Sequence, residues 1–144
     1  MTLPKDRLIA LGTNFLATLD AMGDVFALMT DDVVFEFPKY GAARGKAQTG
    51  AFFQALGSYV AAVRHPCETF SYAVGEDRVV IEGRSVGRLQ NGKEWQSGHF
   101  VVVYEFQGEL ISRVAIYLDP DYVDDTQAHY PWTPVGYWPP KGKS

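Results

Sequence analysis

The stretch that decides the fold is DRVVIEGRSVGRLQNGKEWQSGHFVVVYEFQGELISRVAIYLD, residues 77–119. It contains three long runs in which apolar and polar residues alternate with the period of two that is typical of strands. The pairs Asn91-Gly92 and Gln107-Gly108 separate these runs, and Asn-Gly is the strongest short-range signal for a hairpin. The sequence therefore predicts three long strands that pair antiparallel as a meander.

The residues before this stretch predict three helices and two further strands. Apolar residues recur every three or four positions in the first of these segments: Leu8, Leu11, Phe15, Leu19 and Met22. Asp24 is expected to cap a short second helix through about Met29, ahead of the strand VVFEF at residues 33–37. GKAQTGAFFQALGSYVAAV at 45–63 predicts a third helix, and CETFSYAV at 67–74 a strand that joins the meander.

This order of elements predicts an α+β fold. The meander has four strands once CETFSYAV is included, and long strands twist and curl. We therefore expect a curved antiparallel sheet wrapped around three N-terminal helices. The wide end of such a cone stays open as an internal pocket. The strands HFVVVYEF and RVAIYL carry apolar residues on both faces, which predicts a homodimer formed through the outer face of the sheet.

Length and charge narrow the possible functions. The chain has 144 residues, of which 47% are hydrophobic, and one domain can bury a core of that size. Its net charge is −4 and its 13 Lys and Arg residues are scattered, so we expect neither nucleic acid nor a membrane surface as a partner. We expect the domain to span residues 1–123, followed by a Pro-rich and aromatic tail at 124–144 that lies over the pocket mouth or on a second subunit.

The N-terminus and the cysteine content indicate a cytoplasmic setting. MTLPKDRL has charged residues and proline where a secretory signal needs an apolar run, and the single cysteine, Cys67, cannot form an intrachain disulfide. No run approaches the roughly 18 apolar residues of a membrane span.

Three segments carry a resemblance to a known family: FLATLDAMGDVFALMTDDVVFEFP, ARGKAQTGAFFQAL and GELISRVAIYLDP. In this order they resemble the NTF2-like superfamily, and within it the SnoaL-like proteins. The resemblance implies the cone fold described above and covers about residues 3–121. It does not imply one activity, because the superfamily includes isomerases, epoxide hydrolases, cyclases, dehydratases and binding modules.

Two catalytic devices of this superfamily are absent from the chain. The resemblance to ketosteroid isomerases places their base and two oxyanion donors at Phe37, Phe15 and about Val102, none of which has the polar group required. The resemblance to limonene epoxide hydrolases places their Asp-Arg-Asp device at Glu82, Arg84 and near Ala115, with the first two charges reversed and the last missing.

The resemblance to SnoaL-like cyclases points to Asp119, which stands where those enzymes have an acid at the end of the last strand. Alternation puts Tyr117 and Asp119 on the same face, and this face is expected to line the pocket. Asp119 would move protons, Tyr117 would donate to an enolate oxygen, and Arg84 would hold the carboxylate or bind an acidic substrate. Glu82, two residues from Arg84, is the alternative acid.

His99 and Glu36 are harder to assign to a face. Counting from Asn91-Gly92 places His99 towards the pocket, and counting from Gln107-Gly108 places it outside. A bulge near Gly98 would reconcile the two counts. Glu36 is expected on the exposed side of its strand, with a buried proton-transfer role as the alternative.

The predicted pocket is apolar, and its chemistry needs neither a cofactor nor a metal. Its predicted substrate-binding residues are Phe15, Phe35, Phe37, Phe52, Phe100, Val102 and Tyr104. His65, His99 and His129 lack the spacing of metal ligands. The sequence therefore predicts an enzyme that transfers protons on a hydrophobic small molecule, or alternatively a hydrophobic-ligand-binding or dimeric scaffold protein without turnover.

Overall fold

The computed structural model describes residues 2–123 and 131–132. The predicted tail at 124–144 therefore lies outside the described residues except for two positions. The described part contains two α-helices and seven strands: α1 Lys5–Asp20, β1 Met29–Phe37, β2 Gly41–Arg44, α2 Gly45–Tyr59, β3 Val60–Arg64, β4 Ser71–Gly75, β5 Arg78–Leu89, β6 Glu94–Gln107 and β7 Leu110–Leu118. No described helix is long and apolar enough to span a membrane.

The meander predicted at residues 77–119 is confirmed. β5, β6 and β7 pair antiparallel in sequence order. Gly92 and Gly108 at the two turns have φ of 89° and 61°, in the left-handed region that favours glycine. Local alternation and turn chemistry are therefore sufficient to specify this part of the sheet.

The sheet is mixed rather than wholly antiparallel, which corrects the prediction. Its strand order is β2-β1-β7-β6-β5-β3, with β4 also paired to β5. β1 runs parallel to β7, with Glu36 opposite Ala115, whereas the other pairs are antiparallel. Because β1 precedes the meander by a long stretch of chain, no turn signal reports this pairing.

Two of the three predicted helices are present, and the second is only a 3-10 turn. Asp24 caps this turn at Val25–Leu28, its Oδ1 accepting from the Phe26 and Ala27 amides at 3.0 and 3.3 Å. The chain extends directly afterwards into β1, which buries Met29 and Val33 in the core. The hydrophobic free energy gained by burying these two side chains explains why the chain does not continue as a helix beyond Leu28.

The helix predicted at 45–63 ends at Tyr59, and the remaining residues form β3. Val63 and Arg64 pair with Gly87 and Val86 of β5. This pairing covers backbone groups at the end of β5 that would otherwise be an open sheet edge. β-branched Val60 and Val63 fit a strand better than a helix.

Both helices pack on the inner face of the curled sheet. Gly12 of α1 lets the helix approach β6, since a Cβ there would lie 3.1 Å from the Tyr104 ring. Phe52 of α2 packs against Phe35 and Phe37, with ring centroids 5.4 and 4.7 Å apart. The inner face thus forms one continuous core.

Candidate functional site

A small cavity lies between the helices and the inner face of the sheet, with a volume of about 50 Å³. Four of the predicted substrate-binding residues line it: Phe35, Phe37, Phe100 and Val102. The other three, Phe15, Phe52 and Tyr104, do not line it, so their role in binding stays a prediction. They are fully buried in the core, where neighbouring side chains surround them.

Tyr104 is buried beneath α1, and its hydroxyl has no hydrogen-bond partner among the described residues. Burial first, and the negative charge of Asp20 second, raise the pKa of Tyr104 well above its ordinary value. The phenol therefore stays protonated.

The five predicted catalytic residues lie on the outer face of the sheet, and their placement inside the cone is wrong. Leu118 pairs with Phe100, and both point inward. Alternation then turns Tyr117 and Asp119 outward. β7 alternates as its sequence predicts, but the inner face carries Ile116 and Leu118 and not the set that includes Tyr117.

Asp119 is exposed and ends its strand as a turn residue. Its Oδ1 accepts a hydrogen bond from the Asp121 amide at 2.9 Å. Asp119 shares an open groove of about 700 Å³ with Glu82, His99 and Tyr117. Arg84 lies beside this groove and donates to Ser97 Oγ at 2.8 Å. The predicted catalytic residues therefore lie near one another in the outer groove and do not line the cavity. Their catalytic roles stay predictions, and these roles had assumed an internal pocket.

His99 faces outward because of a bulge in β6. The register of β5 and β6 shifts between Ser85 and Gly87, opposite Trp95 and Gly98. Between these two pairs β6 has two residues and β5 has only one, so β6 carries the bulge near Gly98 that the two conflicting counts required. Glu36 also lies on the outer face but is buried rather than exposed, because Arg113 covers it at 2.8 Å.

A pair of side chains that the sequence did not point to meets at the cavity wall, where His65 lines the cavity and Asp20 lies behind it. His65 follows β3 and lines the cavity, and Asp20 is the last residue of α1. The Asp20 carboxylate accepts from the His65 backbone amide at 2.7 Å and lies 2.6 Å from its Nδ1. One carboxylate therefore holds both the loop and the ring. The exposed fractions of the two side chains are only 10% and 16%.

This contact decides which ring nitrogen of His65 is available. A carboxylate only accepts hydrogen bonds, so Nδ1 carries the proton and Nε2 has the lone pair in the neutral ring. Nε2 has no hydrogen-bond partner in the described part of the chain. The ring meets Phe100 edge-on at 4.9 Å. The arrangement can take a proton from a group in the cavity and return it.

The pair also borders a second, open pocket of about 580 Å³ on the outside of the molecule, which Thr13 and Cys67 help to line. His65 and Asp20 therefore form part of the wall between an apolar cavity and water. One sequence signal could have identified Asp20. A carboxylate at the C-terminal end of a helix is unfavourable with the helix dipole, which suggests a tertiary partner.

The SnoaL-like domain family model matches residues 14–114. No curated protein matches the chain. Among solved structures, an NTF2-like protein of unknown function from Burkholderia pseudomallei is 17% identical, with a TM-score of 0.72, and the alignment covers 83% of this chain and 98% of that one.

Two further structures have similar scores. A proposed SnoaL-like polyketide cyclase from Jannaschia sp. CCS1 is 15% identical with a TM-score of 0.69, covering 82% of this chain and 92% of its own. TerC, co-crystallised with polyporic acid, is 17% identical with a TM-score of 0.70, and the alignment covers 83% of this chain and 99% of TerC. At these identities the likeness shows the fold alone.

Proposed function

Because this chain belongs to the SnoaL-like domain family, whose model matches residues 14–114, we propose that it transfers a proton on a hydrophobic small molecule held in the cone cavity. The resemblance to this family that the sequence analysis stated is thus confirmed. The observation that carries the proposal is the His65–Asp20 pair at the wall of an apolar cavity.

In the proposed reaction, His65 Nε2 accepts a proton from an acidic carbon next to a carbonyl group. The electron pair of the broken C–H bond moves to the carbonyl oxygen as an enolate, and the imidazolium returns the proton to the same or another atom of the substrate. Asp20 holds the ring in the reactive tautomer and stabilises the imidazolium. Side chains alone supply this chemistry, without a cofactor. The likeness to TerC, co-crystallised with polyporic acid, supports a small-molecule ligand.

The first test is hydrogen exchange at a carbon acid. Incubation of 1-tetralone with the protein in D₂O should speed deuterium incorporation next to the carbonyl, followed by ¹H NMR. The Asp20→Asn variant should lower this rate about tenfold or more, because an amide offers one acceptor oxygen where the carboxylate offers two.

Asp119→Asn is the matched control for Asp20→Asn, since it makes the same chemical change in the outer groove. We expect its exchange rate to equal that of the unaltered chain. A loss of exchange with Asp119→Asn but not with Asp20→Asn would contradict the proposal and favour the outer groove.

A second candidate function is ligand binding without turnover. Apart from His65, the described side chains that line the cavity are aliphatic or aromatic. Such a lining binds apolar molecules but offers few groups to stabilise a developing charge. Saturable binding of 1-tetralone without any faster exchange would favour this candidate.

We also propose that the protein is a cytoplasmic homodimer that pairs through the outer face of the sheet. Cys67 is an exposed free thiol, as is usual in a reducing compartment. Val80 and Val103 lie side by side on β5 and β6 as an apolar row and are partly exposed. Covering this row would remove apolar surface from water.

Sedimentation velocity at micromolar concentration should show a dimer, and Val103→Lys should shift it to the monomer. Leu110→Lys is the control, because Leu110 is an exposed apolar residue that lies at the β6–β7 turn, away from this row. A monomeric unaltered chain would refute the interface.

A further inference from the structure

Four charged side chains cross the outer face of the sheet as one connected row. Arg78 Nη2 donates to Glu105 Oε2 at 2.8 Å, and Arg113 Nη1 donates to the same oxygen at 2.7 Å. Arg113 also donates to Glu36 Oε2 from Nη2 at 2.8 Å. The four residues lie on β5, β6, β7 and β1, which are neighbours in the sheet. The charge row, as we call these four residues, therefore alternates in sign from strand to strand.

The charge row is accessible from outside the molecule. The side chains of Arg78 and Glu105 are 50% and 39% exposed, and that of Arg113 is 24% exposed. In the described part of the chain Arg78 donates from Nη2 alone, which leaves other N–H groups of its guanidinium for a second acceptor. Val80 and Val103 lie beside the row on β5 and β6, on the same face. A partner can therefore contact both charged and apolar side chains here.

The charge row is centred on the sheet. The strand order is β2-β1-β7-β6-β5-β3, so three strands lie on each side of the boundary between β7 and β6. Glu105 and Arg113 are cross-strand partners at this boundary. A second copy of the chain covers the largest part of the outer face when its own β6 and β7 lie over the same boundary.

The order of charges in the row makes it complementary to a second copy of itself. Two identical sheets that pack face to face around a two-fold axis parallel to the strands have opposite strand orders. With the axis between β6 and β7, β6 of each copy lies over β7 of the other, and β5 lies over β1. Glu105 of each copy then faces Arg113 of the other. Packed sheets are about 10 Å apart, a distance that a glutamate and an arginine reaching from opposite sides can span.

Other positions of the axis are less favourable. An axis along β6 would place Glu105 over its own copy and Arg78 over Arg113, so like charges would meet. An axis along β7 would place Arg113 over its own copy and Glu105 over the strand that carries Glu36, with the same result. An axis between β5 and β6 would pair Arg78 with Glu105 but would move the two sheets off centre. The position between β6 and β7 combines full overlap with opposite charges.

We propose that the charge row fixes the arrangement of the homodimer, with the two-fold axis between β6 and β7 and with Glu105 of each copy paired to Arg113 of the other. This inference rests on the outer-face dimer proposed above and adds to it the axis and the ion pairs across it. The row has equal numbers of positive and negative charges, so covering it buries no excess charge.

Reversing one charge of the row should weaken the dimer strongly. Glu105→Lys makes the row positive from Arg78 to Arg113, so like charges meet across the axis and the dissociation constant should rise about 100-fold in sedimentation velocity. Glu109→Lys is the matched control. It makes the same change of charge at an exposed position in the β6–β7 turn, where Glu109 pairs with Arg7, and it should leave the dissociation constant unchanged.

A variant with the opposite row should restore the pairing. Arg113→Glu is combined with Glu36→Gln, so that the buried Glu36 does not meet another carboxylate, and this double variant should be monomeric alone. Mixed in equal amounts with Glu105→Lys, it should form a heterodimer, because each altered charge then faces its opposite on the other chain. Fluorescent labelling of one variant reports the heterodimer in the centrifuge, and circular dichroism shows that both variants are folded.

Salt supplies a second measurement that serves if the double variant does not fold. The dissociation constant of the unaltered chain should rise about tenfold from about 0.05 to about 0.5 M NaCl, because salt screens the ion pairs across the axis. Glu105→Gln removes the charge without repulsion and should abolish most of this salt dependence. An unchanged salt dependence in Glu105→Gln would overturn the inference.

The outcomes separate this inference from the proposals on which it rests. A dimer that is lost in Val103→Lys but kept in Glu105→Lys would leave the outer-face interface standing and overturn the charge row as its organiser. A mixture of the two folded variants that stays monomeric would also overturn it. A monomeric unaltered chain would refute the interface and this inference together. The exchange of 1-tetralone tests the catalytic proposal separately.

Discussion

The His65→Ala variant should exchange the α-hydrogens of 1-tetralone about 100-fold more slowly than the unaltered chain, the lower end of the contribution of a positioned general base. The variant removes the lone pair of Nε2 while leaving the apolar walls of the cavity in place. Its affinity for 1-tetralone should therefore stay within about threefold of the unaltered value. The two readouts separate loss of chemistry from loss of the site.

His99→Ala is the matched control, since it deletes the same side chain in the outer groove. We expect no change in its exchange rate. Added imidazole should restore part of the activity of His65→Ala but should not affect the control, because only the first variant has lost a base at the cavity wall. Equal losses in both variants, or none in either, would contradict the role of His65.

The Arg113→Ala variant should lower the free energy of unfolding by about 3 kcal/mol, as expected when one partner of a buried ion pair is removed. Arg113 donates to Glu36 Oε2 from Nε and Nη2 at 3.1 and 2.8 Å, and to Glu105 Oε2 at 2.7 Å. Burial acts to lower the pKa of Arg113, but the charges and hydrogen bonds of Glu36 and Glu105 outweigh it and raise the pKa above its ordinary value.

The cost is expected to be large because Glu36 loses its partner in a buried place. Its side chain is only 10% exposed, and Arg113 is the side chain that pairs with it. Arg78→Ala is the control: Arg78 pairs with Glu105 at 2.8 Å but is half exposed, so its loss should cost less than about 1 kcal/mol. Urea unfolding measures the loss of unfolding free energy in both variants. A similarly small loss in Arg113→Ala would contradict the prediction, because it would show that Glu36 becomes hydrated when Arg113 is removed.

Much of the fold could be predicted from the sequence because its signals are local. The period of three to four residues around Phe15 specifies α1, and Asn91-Gly92 specifies the β5–β6 hairpin. Val60–Arg64 could not be assigned in this way, because its strand form depends on pairing with β5, more than 20 residues later in the chain. The parallel pairing of β1 with β7 has no local signal for the same reason.

The candidate site was less predictable than the fold. β7 alternates as expected, but Ile116 and Leu118 compete with Tyr117 for the inner face, and only the register with Phe100 decides between them. His65 and Asp20 are 45 positions apart, so no spacing motif connects them. Their contact arises from the way α1 crosses the end of β3.

The parallel pairing of β1 with β7 also has a consequence for synthesis on the ribosome. Glu36 lies opposite Ala115, roughly 80 positions later, so β1 is made about 4–16 s before its partner strand at ordinary elongation rates. During that interval one edge of the apolar VVFEF segment has no strand beside it. An uncovered edge of this kind is a template for pairing between nascent chains. β2 covers only the other edge of β1, so the edge that awaits β7 stays open until the last strand emerges.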